Sequence, residues 1–173
     1  MPQTHGRSRM TKTETPEDDR PDAPMTDAIE SGTLDTGELD RLLGFRLRLA
    51  TVVIQQDFNQ VMSELALTQM QSAVLMLVQR HPAVSQVALA AALNTDRATM
   101  MGVVDRLEAR ELLQRRRSTE DRRRQELHLT RKGGLMLKKA REVIARHEQK
   151  FWAQFGDDER QLLFNMLERI THP

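Results

Sequence analysis

Residues 96–132, DRATMMGVVDRLEARELLQRRRSTEDRRRQELHLTRK, change hydrophobic period halfway along. Up to Glu108 the apolar residues Met100, Val103, Val104 and Leu107 fall three and four apart, one face of a helix. Asp96, just ahead of them, is a favoured N-cap. After Glu111 the period drops to two: Leu113, Arg115 and Arg117 alternate with Leu112, Gln114 and Arg116. The polar stretch Ser118-Thr119-Glu120-Asp121-Arg122-Arg123 turns that strand into a second one, with Leu127 and Leu129 inward and Glu126 and His128 outward. A helix running straight into a β-hairpin, anchored by Leu112 and Leu113, predicts a winged helix.

Upstream, Thr68-Gln69-Met70-Gln71 has the spacing of a capping box and starts a helix through Met70, Val74, Leu75 and Val78. Pro82 ends it soon after Arg80. Ser85 caps a short helix carrying Ala88, Leu89, Ala92 and Leu93, and Asn94-Thr95 turns the chain into the Asp96 helix. Two short helices joined by a tight turn are a helix-turn-helix. Leu39, Leu43, Leu47, Ala50, Ile54, Phe58, Val61 and Leu65 form one stripe, predicting a continuous helix of about seven turns. A second row, Leu42, Phe45, Leu49 and Val52, covers its first half, so this helix is expected to meet a second copy as well as its own domain. Thr130 caps a long helix with the stripe Met136, Ala140, Val143, His147 and Phe151. Gly133-Gly134 in its first turn, each costing about 1 kcal/mol against Ala, predict a fraying end. After Gly156, Asp157-Asp158-Glu159 open a last helix with the stripe Leu163, Met166, Leu167 and Ile170. The fold expected is mainly α with a small β-hairpin wing: a DNA-binding-like lobe over about 67–130, and dimerisation helices over about 38–65 and 131–171.

Residues 1–37 hold four basic and eight acidic residues and only seven apolar ones, too few to offset the entropy of ordering. They read as a disordered acidic tail, with a helix fragment near Met25–Ile29 as the alternative. Residues 95–132 hold eleven basic against seven acidic residues on a chain whose net charge is +1, an electrostatic footprint for a polyanion. The chain has no Cys, so disulfides, thiolate chemistry and thiol redox sensing are excluded. No run of 18 apolar residues exists, and the polar N-terminus lacks the apolar core of a secretory signal. A cytoplasmic protein with no membrane partner is expected. His5, His81, His128, His147 and His172 lie at no metal-ligand spacing, and neither a glycine-rich phosphate loop nor a nucleophile elbow occurs. No metal, no cofactor and no enzyme activity are expected.

The chain from about 38 to 171 resembles the MarR family of winged helix-turn-helix transcriptional regulators. The resemblance rests on Asp96-Arg97-Ala98-Thr99, Asp105-Arg106-Leu107-Glu108, Leu112-Leu113-Gln114-Arg115, Asp121-Arg122-Arg123 and Leu127-His128-Leu129-Thr130-Arg131-Lys132-Gly133. In the family these read as recognition helix, wing strand, Asp-x-Arg wing tip and Leu-Thr-x-x-Gly exit. Leu43-Gly44-Phe45-Arg46-Leu47-Arg48 and Gln56-Asp57-Phe58 look like the branch that senses aromatic acids or their CoA thioesters. Glu111 stands where the family usually has Gly, so the turn there must avoid the left-handed conformation or bear its strain.

The resemblance implies a homodimer on double-stranded DNA. The Asp96 helix would lie in the major groove with Arg97, Thr99, Met101, Gly102 and Arg106 outward. Arg97 can fork onto guanine or phosphate, Thr99 can donate to a phosphate, and Met101 can touch a thymine methyl. The alternative for Arg97 and Arg106 is a solvated face paired with acidic neighbours, with Arg106 and Arg110 in particular as local helix pairs. Arg115 and Arg117 are candidates for phosphate contact. Arg122 and Arg123 suit a narrow minor groove, with Asp121 orienting Arg123. Two recognition helices about 34–36 Å apart imply an inverted-repeat operator. A small-molecule effector, an aromatic carboxylate or its CoA thioester, would sit among Phe45, Val53, Phe58, Met62, Met70 and Val74, with Arg46 or Arg48 holding its carboxylate; the alternative, which the residues favour, is that these apolar side chains are core and the arginines surface. The competing reading is an architectural or adaptor DNA-binding dimer without an effector.

Overall fold

The caps expected from the sequence form as hydrogen bonds in the computed structural model, which describes residues 35–118 and 125–172. The Gln71 N–H donates to Thr68 Oγ1 at 3.2 Å and the Thr68 N–H to Gln71 Oε1 at 3.1 Å, closing the box that starts α2 (Gln69–Arg80). Pro82 ends α2 in a tight turn, with Ala83 at φ 68° and the Val84 N–H on the His81 carbonyl. Ser85 accepts from the Ala88 N–H at the head of α3 (Gln86–Ala92), and Asp96 from the Thr99 N–H at the head of α4 (Arg97–Ala109). Between them Asn94, at φ 46°, makes the left-handed turn of the helix-turn-helix.

Strands β1 (Leu113–Arg117) and β2 (Gln125–Leu129) pair antiparallel, with Leu113 opposite Leu129 and Arg115 opposite Leu127. The Leu127 N–H also bonds the Val84 carbonyl, tying the hairpin base to the turn before α3. The core lies where α2, α4, the hairpin base, the C-terminal end of α1 (Leu43–Met62) and the first two-thirds of α5 (Arg131–Trp152) converge. Met62, Leu75, Leu107, Leu112, Leu127 and Leu137 are fully buried there. Leu112 and Leu113 anchor the wing as the sequence suggests.

Two expectations change, and one left open is decided. The seven-turn helix is shorter: α1 spans Leu43–Met62, because Leu42 is extended at its head and Ser63–Leu65 tighten into a 3-10 turn at its foot. Ahead of it Gly37–Arg41 form another 3-10 turn, with Gly37 N–H on Asp35 Oδ1. The start of α5 is not frayed. Gly133 is buried against the Leu112 carbonyl, its N–H bonds Thr130 Oγ1, and the Thr130 hydroxyl donates to the Glu111 carbonyl at 2.6 Å. The glycine permits close approach there. Glu111 does adopt the left-handed conformation, at φ 59°. Its N–H bonds the Glu108 carbonyl and the Leu112 N–H the Leu107 carbonyl, a Schellman close with Leu107 packed on Leu112. Lys132 holds the Glu111 carboxylate at 2.9 Å and keeps it below the usual carboxylate range.

The last helix, α6 (Asp157–Thr171), opens with Glu159 accepting from the Gly156 N–H and with Arg160 reaching the Trp152 carbonyl. None of its residues is buried, and Leu162, Phe164, Met166 and Ile170 are exposed. Leu43, Leu49 and Val53 on α1 are exposed too. The acidic-tail reading, with its Met25–Ile29 alternative, lies outside the described residues save for 35–37. The wing-tip residues Asp121, Arg122 and Arg123 lie outside them as well. No single helix among the described residues is long and apolar enough to cross a membrane.

Candidate nucleic-acid interface

The inward stripe of α4, Met100, Val103, Val104 and Leu107, is buried to 3% exposure or less, which forces the opposite face outward. Arg97, Thr99, Met101 and Arg106 are exposed on that face, with Gly102 half-buried among them. Met101 is 52% exposed, leaving its thioether side chain open to an apolar contact from outside. Arg106 folds back over Gly102, its guanidinium 3.5 Å from where a Cβ would stand. Among the described residues neither Arg97 nor Arg106 pairs with a carboxylate, so their charge is presented to solvent rather than to acidic neighbours.

Thr99 is placed differently from the expectation of a phosphate donor. Its hydroxyl donates to Asp96 Oδ2 at 2.6 Å, and its N–H to Oδ1. The Thr99 hydroxyl and N–H together hold the Asp96 carboxyl below its ordinary range, so the pair serves as the helix cap.

Arg115 also departs from the expectation. The alternation that puts Leu113 inward puts Arg115 on the same face of β1, toward α4. Its guanidinium binds Asp105 and Glu108 and lies 3.5 Å from Gln86 Oε1 on α3. Glu108 also accepts the Arg115 N–H at 3.0 Å. Burial works against the charge, but Asp105 and Glu108 outweigh it and hold the Arg115 pKa above its ordinary value. Arg115 therefore ties the wing strand to the recognition helix. Arg116 and Arg117 are exposed, with Arg117 toward the tip and Arg116 opposite Glu126.

Sequence reading passed over Asp105, Glu108 and Gln86 as partners of Arg115. The signal was present: Asp105 and Glu108 are one helical turn apart on α4, and Arg115 shares parity with Leu113. The alternative of a local helix pair for Arg110 does not form. Instead Arg110 donates to the carbonyls of Leu65, at 2.8 Å, and Ala66.

The residues expected around an effector do not share one cavity. Phe58, Met62 and Val74 are core, at 5%, 0% and 0% exposure, and Met70 packs against them. Phe58 meets His147 edge-on, His147 meets Phe151 likewise, and His147 Nδ1 lies 2.7 Å from Asp57 Oδ2. Lys150 also holds Asp57, and Lys150 and His147 together keep its carboxyl below the usual range. Several hollows of similar size open among the described residues: Met70 lines one with Gln55 and Thr68, and another, lined mainly by apolar side chains, is a cleft of about 520 Å³ between the first half of α1, the end of α5 and α6. Arg46, Leu49, Val53, Phe151, Trp152 and Phe155 are among its lining residues. Arg48 is exposed on α1 and does not line it. Among the described residues no group of His, Asp and Glu is arranged to hold a metal ion.

Comparison with known proteins points the same way. A family model described as the MarR family matches residues 67–124. The putative transcriptional regulatory protein for the hcr operon of Thauera aromatica is 33% identical over 135 residues, 78% of this chain and 81% of that one. The transcriptional repressor CouR bound to a 23-mer DNA duplex superposes with a TM-score of 0.76 at 37% identity, covering 80% of this chain and 98% of that one. CouR bound to p-coumaroyl-CoA gives 0.74 at 35% identity, with 80% and 97% covered.

Proposed function

Because this chain belongs to the MarR family and is a transcriptional regulator of that type, we propose that it is a dimeric, ligand-responsive repressor. It binds a palindromic operator in double-stranded DNA and leaves it when a small aromatic carboxylate or its CoA thioester binds. The observation that carries the DNA reading is the outward face of α4, where Arg97, Met101 and Arg106 stand exposed beside an arginine-rich hairpin. Arg97 and Arg106 supply base or phosphate contacts, Met101 an apolar contact to thymine, and Gly102 a close approach. Arg117 is a phosphate contact at the wing, and Arg122 and Arg123, with Asp121 orienting the latter, are the minor-groove contacts suggested by their sequence alone. Thr99 supports the recognition helix through its N-terminal cap, and Arg115 by tying it to the wing strand.

A second copy covers the exposed apolar residues of α1 and α6, since a soluble monomer rarely leaves so many large side chains in water. The effector occupies the cleft between α1, α5 and α6, with its ring against Phe151, Trp152 and Phe155 and its carboxylate toward Arg46. That CouR has been captured with DNA and with an aromatic CoA thioester supports this reading. A ligand there favours a dimer whose recognition helices no longer match successive turns of the operator. The protein acts in the cytoplasm and takes no cofactor.

The test begins with selection of duplexes from a randomised pool, followed by footprinting. A regulator protects one inverted repeat, and affinity falls about 10³–10⁵-fold between 50 and 200 mM salt if 6–10 phosphates are neutralised. Uniform protection of every duplex would favour the architectural dimer instead. Trp152, the only Trp in the chain, reports the effector: aromatic acids and their CoA thioesters that release the duplex should change its fluorescence. Release of DNA with no change at Trp152 would move the effector out of this cleft.

A further inference from the structure

The C-terminal end of α4 is where the outer helices reach the recognition helix. Arg110, half-buried, donates through one guanidinium nitrogen to the Leu65 carbonyl at 2.8 Å and through the other to the Ala66 carbonyl. Those carbonyls end the 3-10 turn that follows α1, and Ala66, at φ 47°, swings the chain toward α2. The next two residues are tied to α5. The Glu111 carbonyl accepts from Thr130 Oγ1 and its carboxylate from Lys132, while the Leu112 carbonyl accepts the Thr130 N–H at 3.2 Å and faces the bare Cα of Gly133. Three consecutive residues thus join the recognition helix to the foot of α1 and the head of α5. The link through Arg110 differs in kind from a surface ion pair. Backbone carbonyls cannot rotate away as a side-chain partner can, and a planar guanidinium spanning two consecutive ones fixes direction as well as distance. The two oxygens also sit at the negative end of a helical segment, where a cation is favoured.

We propose that Arg110 is a positioning residue that sets the angle of α4 against the end of α1, and so carries a displacement of α1 to the recognition helix without touching DNA. The inference rests on the DNA-binding reading only for its consequence at the operator. The chain has no Cys, so pairs of introduced cysteines can carry spin labels in the full-length protein. One pair, Gln56→Cys with Ala98→Cys, spans α1 to α4; another, Gln56→Cys with Gln149→Cys, spans α1 to α5 across the Asp57–His147 contact. Labelled protein is diluted with unlabelled protein so that only distances within a chain are read. Arg110→Ala is expected to broaden the first distance distribution and leave the second as it was, with Arg110→Lys in between because one freely rotating ammonium nitrogen keeps the charge but cannot fork across both carbonyls as the planar guanidinium does. On the duplex selected by the wild-type protein, Arg110→Ala should bind about tenfold more weakly with the same slope of log K against log salt, and Arg110→Lys should recover part of the loss. A slope shallower by about one would make Arg110 a phosphate contact and overturn the proposal. Unchanged α1–α4 distances in both variants would overturn it too. If Arg110→Ala does not fold, Arg110→Lys alone decides, since replacing the planar two-nitrogen fork by a single rotating nitrogen must still broaden the first pair. Should the wild-type protein select no duplex, the DNA reading fails, while the two label pairs still decide whether Arg110 holds α4 to α1.

Discussion

Adjacent glycines at the start of α5 should respond to the same substitution with opposite sign. An alanine Cβ at Gly133 would stand 2.9 Å from the Leu112 carbonyl carbon, closer still to its oxygen, and 3.1 Å from Leu129 Cδ1. The first two are backbone atoms, so the strain cannot be relieved by a rotamer change; α5 must lift from the turn between α4 and β1. Lifting it stretches the Thr130 N–H bond to the Leu112 carbonyl and the Thr130 hydroxyl bond to the Glu111 carbonyl, each worth about 1 kcal/mol net. Overpacking adds about 1–3 kcal/mol. The better helix propensity of Ala returns about 1 kcal/mol. Gly133→Ala is therefore expected to destabilise by roughly 2–4 kcal/mol, since the losses exceed the propensity gain. In a chain of this size that lowers Tm by about 5–15 °C. At Gly134 the added Cβ meets only Leu129 Cδ2 at 3.8 Å, an ordinary contact, so Gly134→Ala should stabilise by about 0.5–1 kcal/mol. Urea unfolding of both variants against wild type measures the difference. A Gly133→Ala protein as stable as Gly134→Ala would refute the close approach of α5 to Leu112.

Glu111→Gly removes a left-handed non-glycine residue at the cost of the Lys132 contact, and should raise Tm by about 2–4 °C in a thermal melt. Because Lys150 and His147 hold the Asp57 carboxyl below its ordinary value of 3.8, the stability it confers is full above that pH and is lost as pH falls through the lower folded value. Asp57→Asn should lower Tm at neutral pH and flatten the acid limb of a Tm-against-pH curve; an unaltered limb would rule this contact out as its source. Leu49→Glu puts a charge on the exposed face of α1 and should split the proposed dimer in sedimentation without changing the helical content of the fold. Arg97→Ala should weaken binding to the selected duplex by about 10–100-fold, the worth of one forked base contact, and a gel shift with unchanged affinity would take Arg97 out of the interface.

Local chemistry made much of the architecture legible in advance. Caps, turn residues and period are properties of a few neighbouring residues, so Thr68, Ser85, Asp96 and Thr130 marked helix starts, and the drop to period two after Glu111 marked the wing. The stripe of α1 ran past the true helix because periodicity cannot see Leu42 go extended or Ser63–Leu65 tighten. Phe58 and Met62 could be read as core or as pocket lining, because a stripe shows which residues turn inward, not whether a neighbour fills the space before them; they are core.

The charge of the arginine-rich segment and the outward face of α4 follow from the order of residues alone, since helical and strand periods assign faces without knowledge of partners. Which arginines remain available to a ligand was decided by tertiary packing. Arg115 and Arg110 are as basic in sequence as Arg97 and Arg106, but the fold brings Asp105 and Glu108 to the first and two backbone carbonyls, 44 and 45 residues away, to the second. The role of a long charged side chain depends on what lies within its reach, and distances through space between remote segments exist only once the chain has folded.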